Sequence, residues 1–251
     1  MVSSRAIGLG FGMMLAASCA AHAADGRLAR ILAEAAHKPA RLAGQDMHGL
    51  DLAGLDLSGA DLRGANLAGA ELKGVKLVGA DLQGADLAGA DMTEVWIIRA
   101  NFDHADLHGA TLQVVVTSTG MNNTADQAAS FNGANLSDTS ATVHFSYDSM
   151  KGADFAGTHM SVVLMNQSMG LLRSEFEDCE LEGANFRNAQ LARVDFKYAK
   201  LKGADFRGAD LTRAEFEGAD LTNVDFTGAR FDHTSFDGAT LSGARGLPRS
   251  R

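Results

Sequence analysis

From Leu42 a large apolar residue returns at every fifth position, through Met47, Leu52, Leu57, Leu62 and onward to Phe102, Leu107 and Leu112. Two positions before each stands a small or aliphatic residue, as in Ala60, Ala65, Ala70, Val75 and Ala80. Two positions after it stands Gly, in 11 of these 15 repeats. The same pattern returns from Leu171 through Phe176, Leu181 and Phe186 to Leu241. A period of five matches neither the 3.6 of a helix nor the 2 of a strand, so a helical bundle and an ordinary sheet are both excluded. A chain that turns a corner once per five residues fits. The large residue and the small one two before it point inward, as alternation along a short strand requires. Gly tolerates the backbone that the corners need. All 12 Phe outside residues 1–23 fall in the large slot, where random placement would put about one in five, so that slot is core.

Runs such as Ala60-Asp61-Leu62-Arg63-Gly64 and Ala204-Asp205-Phe206-Arg207-Gly208 resemble the pentapeptide-repeat family, A-(D/N)-(L/F)-x-x. The resemblance covers roughly Leu42 to Ala244. It implies an all-β fold, a right-handed quadrilateral β-helix with 20 residues per coil and about nine coils, about 43 Å long at ~4.8 Å per coil. A spacing of 20 then stacks Phe176, Phe196, Phe216 and Phe236 in one column and Phe186, Phe206 and Phe226 in an opposite one. Leu181, Leu201, Leu221 and Leu241 line a face between them. Before the coils, Leu28, Ile31, Leu32 and Ala35 fall at i, i+3, i+4 and i+7 between a capping Asp25 and Pro39. That spacing predicts a short N-terminal capping helix over the open end of the tube.

The pattern divides the chain into an export signal (1–23), the capping helix (24–40), regular coils (41–112), irregular repeats with a projecting loop (113–170), regular coils again (171–244) and a C-terminal tail (245–251). Register is lost through 113–130, resumes at Phe131, shifts by one at Phe145 and shifts again before Leu171. Insertions in a solenoid become loops that often carry binding. Trp96 and Ile98 occupy slots that elsewhere hold polar residues, and counting 20 back and forward sets Lys76 and Val116 beside Trp96 and Val78 beside Ile98. Val78, Trp96, Ile98 and Val116, with Met121 in the adjacent loop, form the candidate partner-binding patch. The competing reading has the loop fold over Trp96, with Lys76 in a cation–π contact.

Charge alters the picture at one end only. The chain carries −9 overall, and −10 once Arg5 leaves with the signal. Such a balance argues against direct gripping of a nucleic-acid phosphate backbone. Asp51, Glu71 and Asp91 form an acidic ladder at a spacing of 20. No cofactor or metal spacing emerges: His104, His108, His144 and His159 match no ligand motif, and the glycines follow the corners rather than a phosphate loop. Cys179 fills an inward small slot, the place of an inert buried thiol. An enzyme is therefore not expected. Arg5, the apolar run Ile7–Ala17 and Ala21-His22-Ala23 read as an export signal with its cleavage site, so the product is expected to be periplasmic or secreted. The alternative is lipid anchoring through Cys19, after Leu15-Ala16-Ala17-Ser18.

These features predict an exported protein-interaction scaffold in the bacterial envelope with an unidentified protein partner. Nothing comparable to the helix follows Leu241, so the last coil is expected to be capped either by the short tail Gly246-Leu247-Pro248 or by a second subunit in a homodimer through the C-terminal coil. The resemblance implies an alternative, since some members of that family are acidic DNA mimics that bind DNA gyrase.

Overall fold

The computed structural model describes residues 26–118, 124–160, 163–164, 171–172 and 174–247. The export segment with Cys19, the capping residue Asp25, and Met121 of the candidate patch lie outside the described residues.

Each five-residue repeat places the residue before its large apolar one in a parallel bridge to the next coil, as Arg41 to Asp61 and Asp61 to Asp81. Two hydrogen bonds fix the register: Leu62 N–H donates to the Asp81 carbonyl at 2.7 Å, and Asp81 N–H donates to that of Ala60 at 2.9 Å. Within the repeat, Ala65 N–H closes a turn on the Leu62 carbonyl at 3.0 Å, while Gly64 takes φ 61°. That positive φ at the third turn position is what a type II turn requires. Every described non-Gly residue with positive φ, from Glu94 to His233, sits in the same slot.

The bridges line up in four ladders. The first runs from Arg41 to Thr240, the second from Asp46 to Arg245 and the third from Asp51 to Arg230. The fourth runs from Asp56 to Val116 and again from His144 to Ser235. In the third, the backbone extends far enough to form a parallel three-stranded sheet of β1 (Thr111–Gln113), β2 (Ser140–Thr142) and β3 (His159–Met160).

Both inward slots are filled as expected. Leu62, Leu67 and Leu72 are buried, and so are Ala60, Ala65 and Ala70. Phe145, Phe176, Phe196, Phe216 and Phe236 stack in one column with centroids 4.9–5.3 Å apart. Phe155, Phe186, Phe206 and Phe226 stack in a second, 4.7–5.4 Å apart. The columns meet edge to face, as Phe186 does Phe196 at 5.6 Å and 85°, so ring packing fills this part of the interior. The expected columns thus extend two members further, across the irregular stretch.

The irregular stretch is more orderly than its sequence. The ladder continues to Val116, which bridges Trp96, rather than failing from residue 113. Val115 holds the inward small slot at 8% exposure, but Thr117 stands where the next large residue belongs, and this masks the pattern. Bridge spacing then lengthens to 29 (Asn101 to Ser130), shortens to 19 (Ser130 to Ser149) and lengthens to 31 (His144 to Glu175) before returning to 20. The coils resume at Glu175 and not at Leu171. Leu171–Leu172 form β5, antiparallel to β4 (Val163–Leu164), so this segment pairs with itself as a hairpin outside the ladders.

The ends differ. The expected helix, α1 (Gly26–Ala35), buries Leu28 and Ile31 against the first coil, with Leu32 and Ala35 partly buried. Arg27 ties it to Asp46 at 2.7 Å, and Lys38 beyond it pairs with Asp56. At the other end Phe231, Phe236 and Leu241 are only partly buried. The tail turns back over this end: a side-chain carbon on Gly246 would lie 2.5 Å from the Thr227 nitrogen, and Leu247 packs against the core.

Candidate functional site

The candidate patch lies on the fourth ladder, at the level where that ladder is broken. Trp96 bridges Lys76 on one side and Val116 on the other. The Lys76 ammonium stands 5.4 Å from the Trp96 ring centroid, the expected cation–π contact. Val78, Trp96 and Val116 are half-buried, and Val114 beside them is 40% exposed.

Ile98 departs from the expectation that it faces out. It is 1% exposed, yet it does not belong to the continuous core inside the tube. Cover comes from the inserted segment. At the ordinary spacing Arg99 N–H would bond the carbonyl of Ser118; instead it donates to Gln127 at 3.0 Å. Gln127 ends a single 3₁₀ turn, Ala125–Gln127, which therefore takes the place of a regular corner above Ile98. The structure thus combines both readings: the returning segment covers Ile98, and the other three residues keep accessible surface.

A buried carboxylate that the sequence reading passed over secures this segment. Ala129 fills an inward small slot, where the residue normally donates to the carbonyl three before it. Here Ala128 N–H bonds the Ala125 carbonyl, and Ala129 N–H, in place of the Asp126 carbonyl three before it, finds Asp148 Oδ1 of the next coil at 2.7 Å. Asp148 is 2% exposed and its Oδ2 meets no partner. Burial pushes its carboxyl well above the usual carboxylate range, the Ala129 bond opposing in part. A signal was present in the sequence: Asp148-Ser149-Met150 puts an acid where the neighbouring repeats carry Val143 and Ala153. Next to it, Cys179 is fully buried, donates to the Phe145 carbonyl and has its thiol pushed up, first by burial and then by Asp148. It is the inert thiol its slot implied.

Asp51, Glu71 and Asp91 do form consecutive rungs of the third ladder. Two of them have a local task. Asp51 accepts from Ala53 N–H at 3.1 Å and Asp91 from Thr93 N–H at 2.9 Å. The same carboxylate-to-turn bond recurs at Asp61, Asp81, Asp86 and Asp106. It explains why Asp and Asn dominate this slot: the side chain satisfies a turn N–H that the ladder leaves open. Among the described residues no group of three or more His, Cys, Asp or Glu could hold a metal ion. His108 Nδ1 lies 3.0 Å from Ser137 Oγ and 3.9 Å from Asp138 Oδ2. One nitrogen faces both, so the trio lacks the two-sided imidazole of a hydrolytic triad.

Models of pentapeptide repeats match residues 46–84 and 76–113, and a pentapeptide repeat region matches 169–245, together more than half of the chain. The chain is similar to HetL of the cyanobacterium Nostoc sp. strain PCC 7120, a pentapeptide repeat protein involved in heterocyst differentiation regulation. Identity is 27% over 87% of this chain and 95% of HetL, with a TM-score of 0.42. QnrB1, a plasmid-mediated fluoroquinolone resistance protein, is 19% identical over 80% of this chain and 92% of its own, with a TM-score of 0.26. Rfr23 of the cyanobacterium Cyanothece 51142 is 14% identical over 86% and 93%, with a TM-score of 0.22. Among curated proteins no relative matches the chain.

Proposed function

Because the chain belongs to the pentapeptide-repeat family, we propose that it is an exported, non-enzymatic scaffold holding a protein partner in the bacterial envelope. The four ladders are read as the sides of a right-handed quadrilateral β-helix of about nine coils. The observation that carries the scaffold reading is the break in the fourth ladder between Val116 and His144. One insertion leaves that side after Val116, and the β4–β5 hairpin enters it before Glu175. Elsewhere the ladders present a repetitive polar surface. Here half-buried Trp96, Val78 and Val116 lie between two irregular segments, which suits recognition of one partner.

Export rests on the N-terminal sequence: Arg5, the apolar run and Ala21-His22-Ala23. Fractionation of a tagged protein tests it, since an uncleaved cytosolic product would rule export out. The mass of the mature N-terminus separates soluble release from lipidation at Cys19. For the patch, a pull-down compares wild type with Trp96→Ala and with deletion of residues 118–124. Partners unchanged in both would remove the patch from consideration. The third ladder favours the second reading, an acidic mimic of DNA that binds gyrase, because Asp51, Glu71 and Asp91 follow one another without a cation between them. A supercoiling assay indifferent to excess protein would dispose of that reading.

A further inference from the structure

The third ladder has an electrical polarity that neither reading uses. It contains nine bridge residues, from Asp51 to Arg230, with Ser140 of β2 at the centre. Toward the helix-capped end, this side and its flanking corners carry Asp51, Glu71, Asp91 and Glu94 against Lys73. Toward the other end they carry Arg187, Arg193, Arg207, Arg213 and Arg230 against Asp210 and Asp232. In a chain of net charge −9, a basic stretch on one side is a departure. Between the stretches the strands offer uncharged Thr111, Gln113 and Ser140, together with His159, while the corner before Ser140 adds one acid, Asp138, 3.9 Å from His108.

Part of this charge lacks an ion pair, although Arg187 acts on Asp205 from beyond ion-pair distance. Among the described residues, none of the four acidic groups forms an ion pair, and neither do Arg187, Arg193 or Arg213. Arg207 is held by Asp205, and Arg230 lies 3.8 Å from Asp210. Glu94 and Arg193, like eleven other described non-Gly residues, occupy the corner slot at positive φ, and both are exposed, which puts their charges at the outer edge of this side.

We propose that two copies of this chain pair side by side and antiparallel through the third ladder, about a two-fold axis at Ser140. Asp91 and Gln190 each lie two rungs from Ser140, and Asp51 and Arg230 each lie four. The axis therefore brings the Asp91–Glu94 rung of one copy against the Gln190–Arg193 rung of the other, and Asp51 against Arg230. Glu71 falls opposite Asp210, with Arg207 on one flank and Arg213 beside Lys73 on the other, so this rung contributes less than the Asp91–Glu94 and Asp51 rungs. A self-complementary surface of this kind closes as a dimer and leaves no free edge for further growth. Eight steps of about 4.8 Å give a strip of ~38 Å, only one side of the coil wide. Such an interface is small and polar, so the dimer is weak and sensitive to salt.

Sedimentation equilibrium of the full chain tests the pairing at about 50 mM and about 500 mM salt, where the Debye length shortens from ~14 Å to ~4 Å. The expected result is a dimer at low salt that dissociates at high salt. Glu94→Arg and Arg193→Glu should each weaken it about tenfold or more, and the two together should restore it. Circular dichroism reports whether each variant keeps the fold. A wild-type monomer at ~100 μM and low salt would overturn the proposal. So would a dimer whose strength ignores both single reversals, as one closed through the C-terminal coil would.

Discussion

Replacing Asp148 by Asn tests the account of the inserted segment through its pH dependence. In the fold this carboxyl is 2% exposed and pushed up by burial, whereas in the unfolded chain it titrates near an ordinary ~3.9. Folding therefore binds a proton. The group's contribution is fully present below the unfolded value and is lost as pH rises toward the folded one. Over the range in which the carboxyl stays protonated only in the fold, the wild type loses about 1.4 kcal/mol per pH unit relative to Asp148→Asn. The amide oxygen can still accept from Ala129 N–H, at 2.7 Å in the wild type. Its NH₂ inherits the site of Oδ2, which meets no partner, and that adds a constant offset independent of pH. Urea unfolding of both proteins at intervals between pH 4 and 7 separates slope from offset. Parallel stability curves would refute the reasoning, because they would mean that the carboxyl ionises inside the fold as it does outside. Asp148→Ala is the companion variant: it orphans the Ala129 N–H at a cost of about 1–3 kcal/mol, with the same pH slope as Asn.

Phe196 touches two rings face to face at 5.0 and 4.9 Å and two edge on at 5.6 and 5.7 Å. Phe196→Leu keeps an apolar group that neighbouring core slots accept, but it should still cost about 2–4 kcal/mol in urea melts. Gly64→Ala meets open space at φ 61° and should cost about 1 kcal/mol, from backbone strain alone. Gly246→Ala must push the Thr227 backbone away, so limited proteolysis should release the tail in that variant and not in Gly64→Ala. Cys179, buried with its thiol pushed up, should react with an aromatic disulfide reagent only as fast as the protein unfolds.

What could be read from the sequence was whatever the repeat states many times. The inward slots, the corner glycines and the Phe columns each recur often enough to expose their geometry, and Trp96 above Lys76 followed from counting by 20. What escaped depends on a single event. Ile98 is covered because an insertion returns at Gln127, and no periodicity predicts where an insertion returns. Leu171 fits the five-residue spacing yet pairs with Leu164 in a hairpin, since an apolar residue in the right register is compatible with either partner. Thr117 hid the continuation of the ladder to Val116. The structural task of the Asp slot was hidden differently: a carboxylate bonded to a turn N–H two residues on looks, in sequence, like surface charge.

The corners carry one more consequence. His104 leans over Gly133, Asp138 over Gly157, Asn188 over Gly208, Tyr198 over Gly218 and Asn223 over Gly243, each so close that any side-chain carbon there would collide with it. At these five corners the earlier side chain would have to swing aside before its neighbour one full turn later could carry one. From Gly44 to Gly89 the corners carry no such interlock, and nearly all of them open onto empty space. In the first part of the rod a copied turn would meet open corners built on Gly, whereas in the second part it would repeat bulky corners held at positive φ, as Arg193, Arg213 and His233 already are on consecutive turns. Growth by duplication therefore adds little strain in the first part and more backbone strain in the second, although their cores follow one rule.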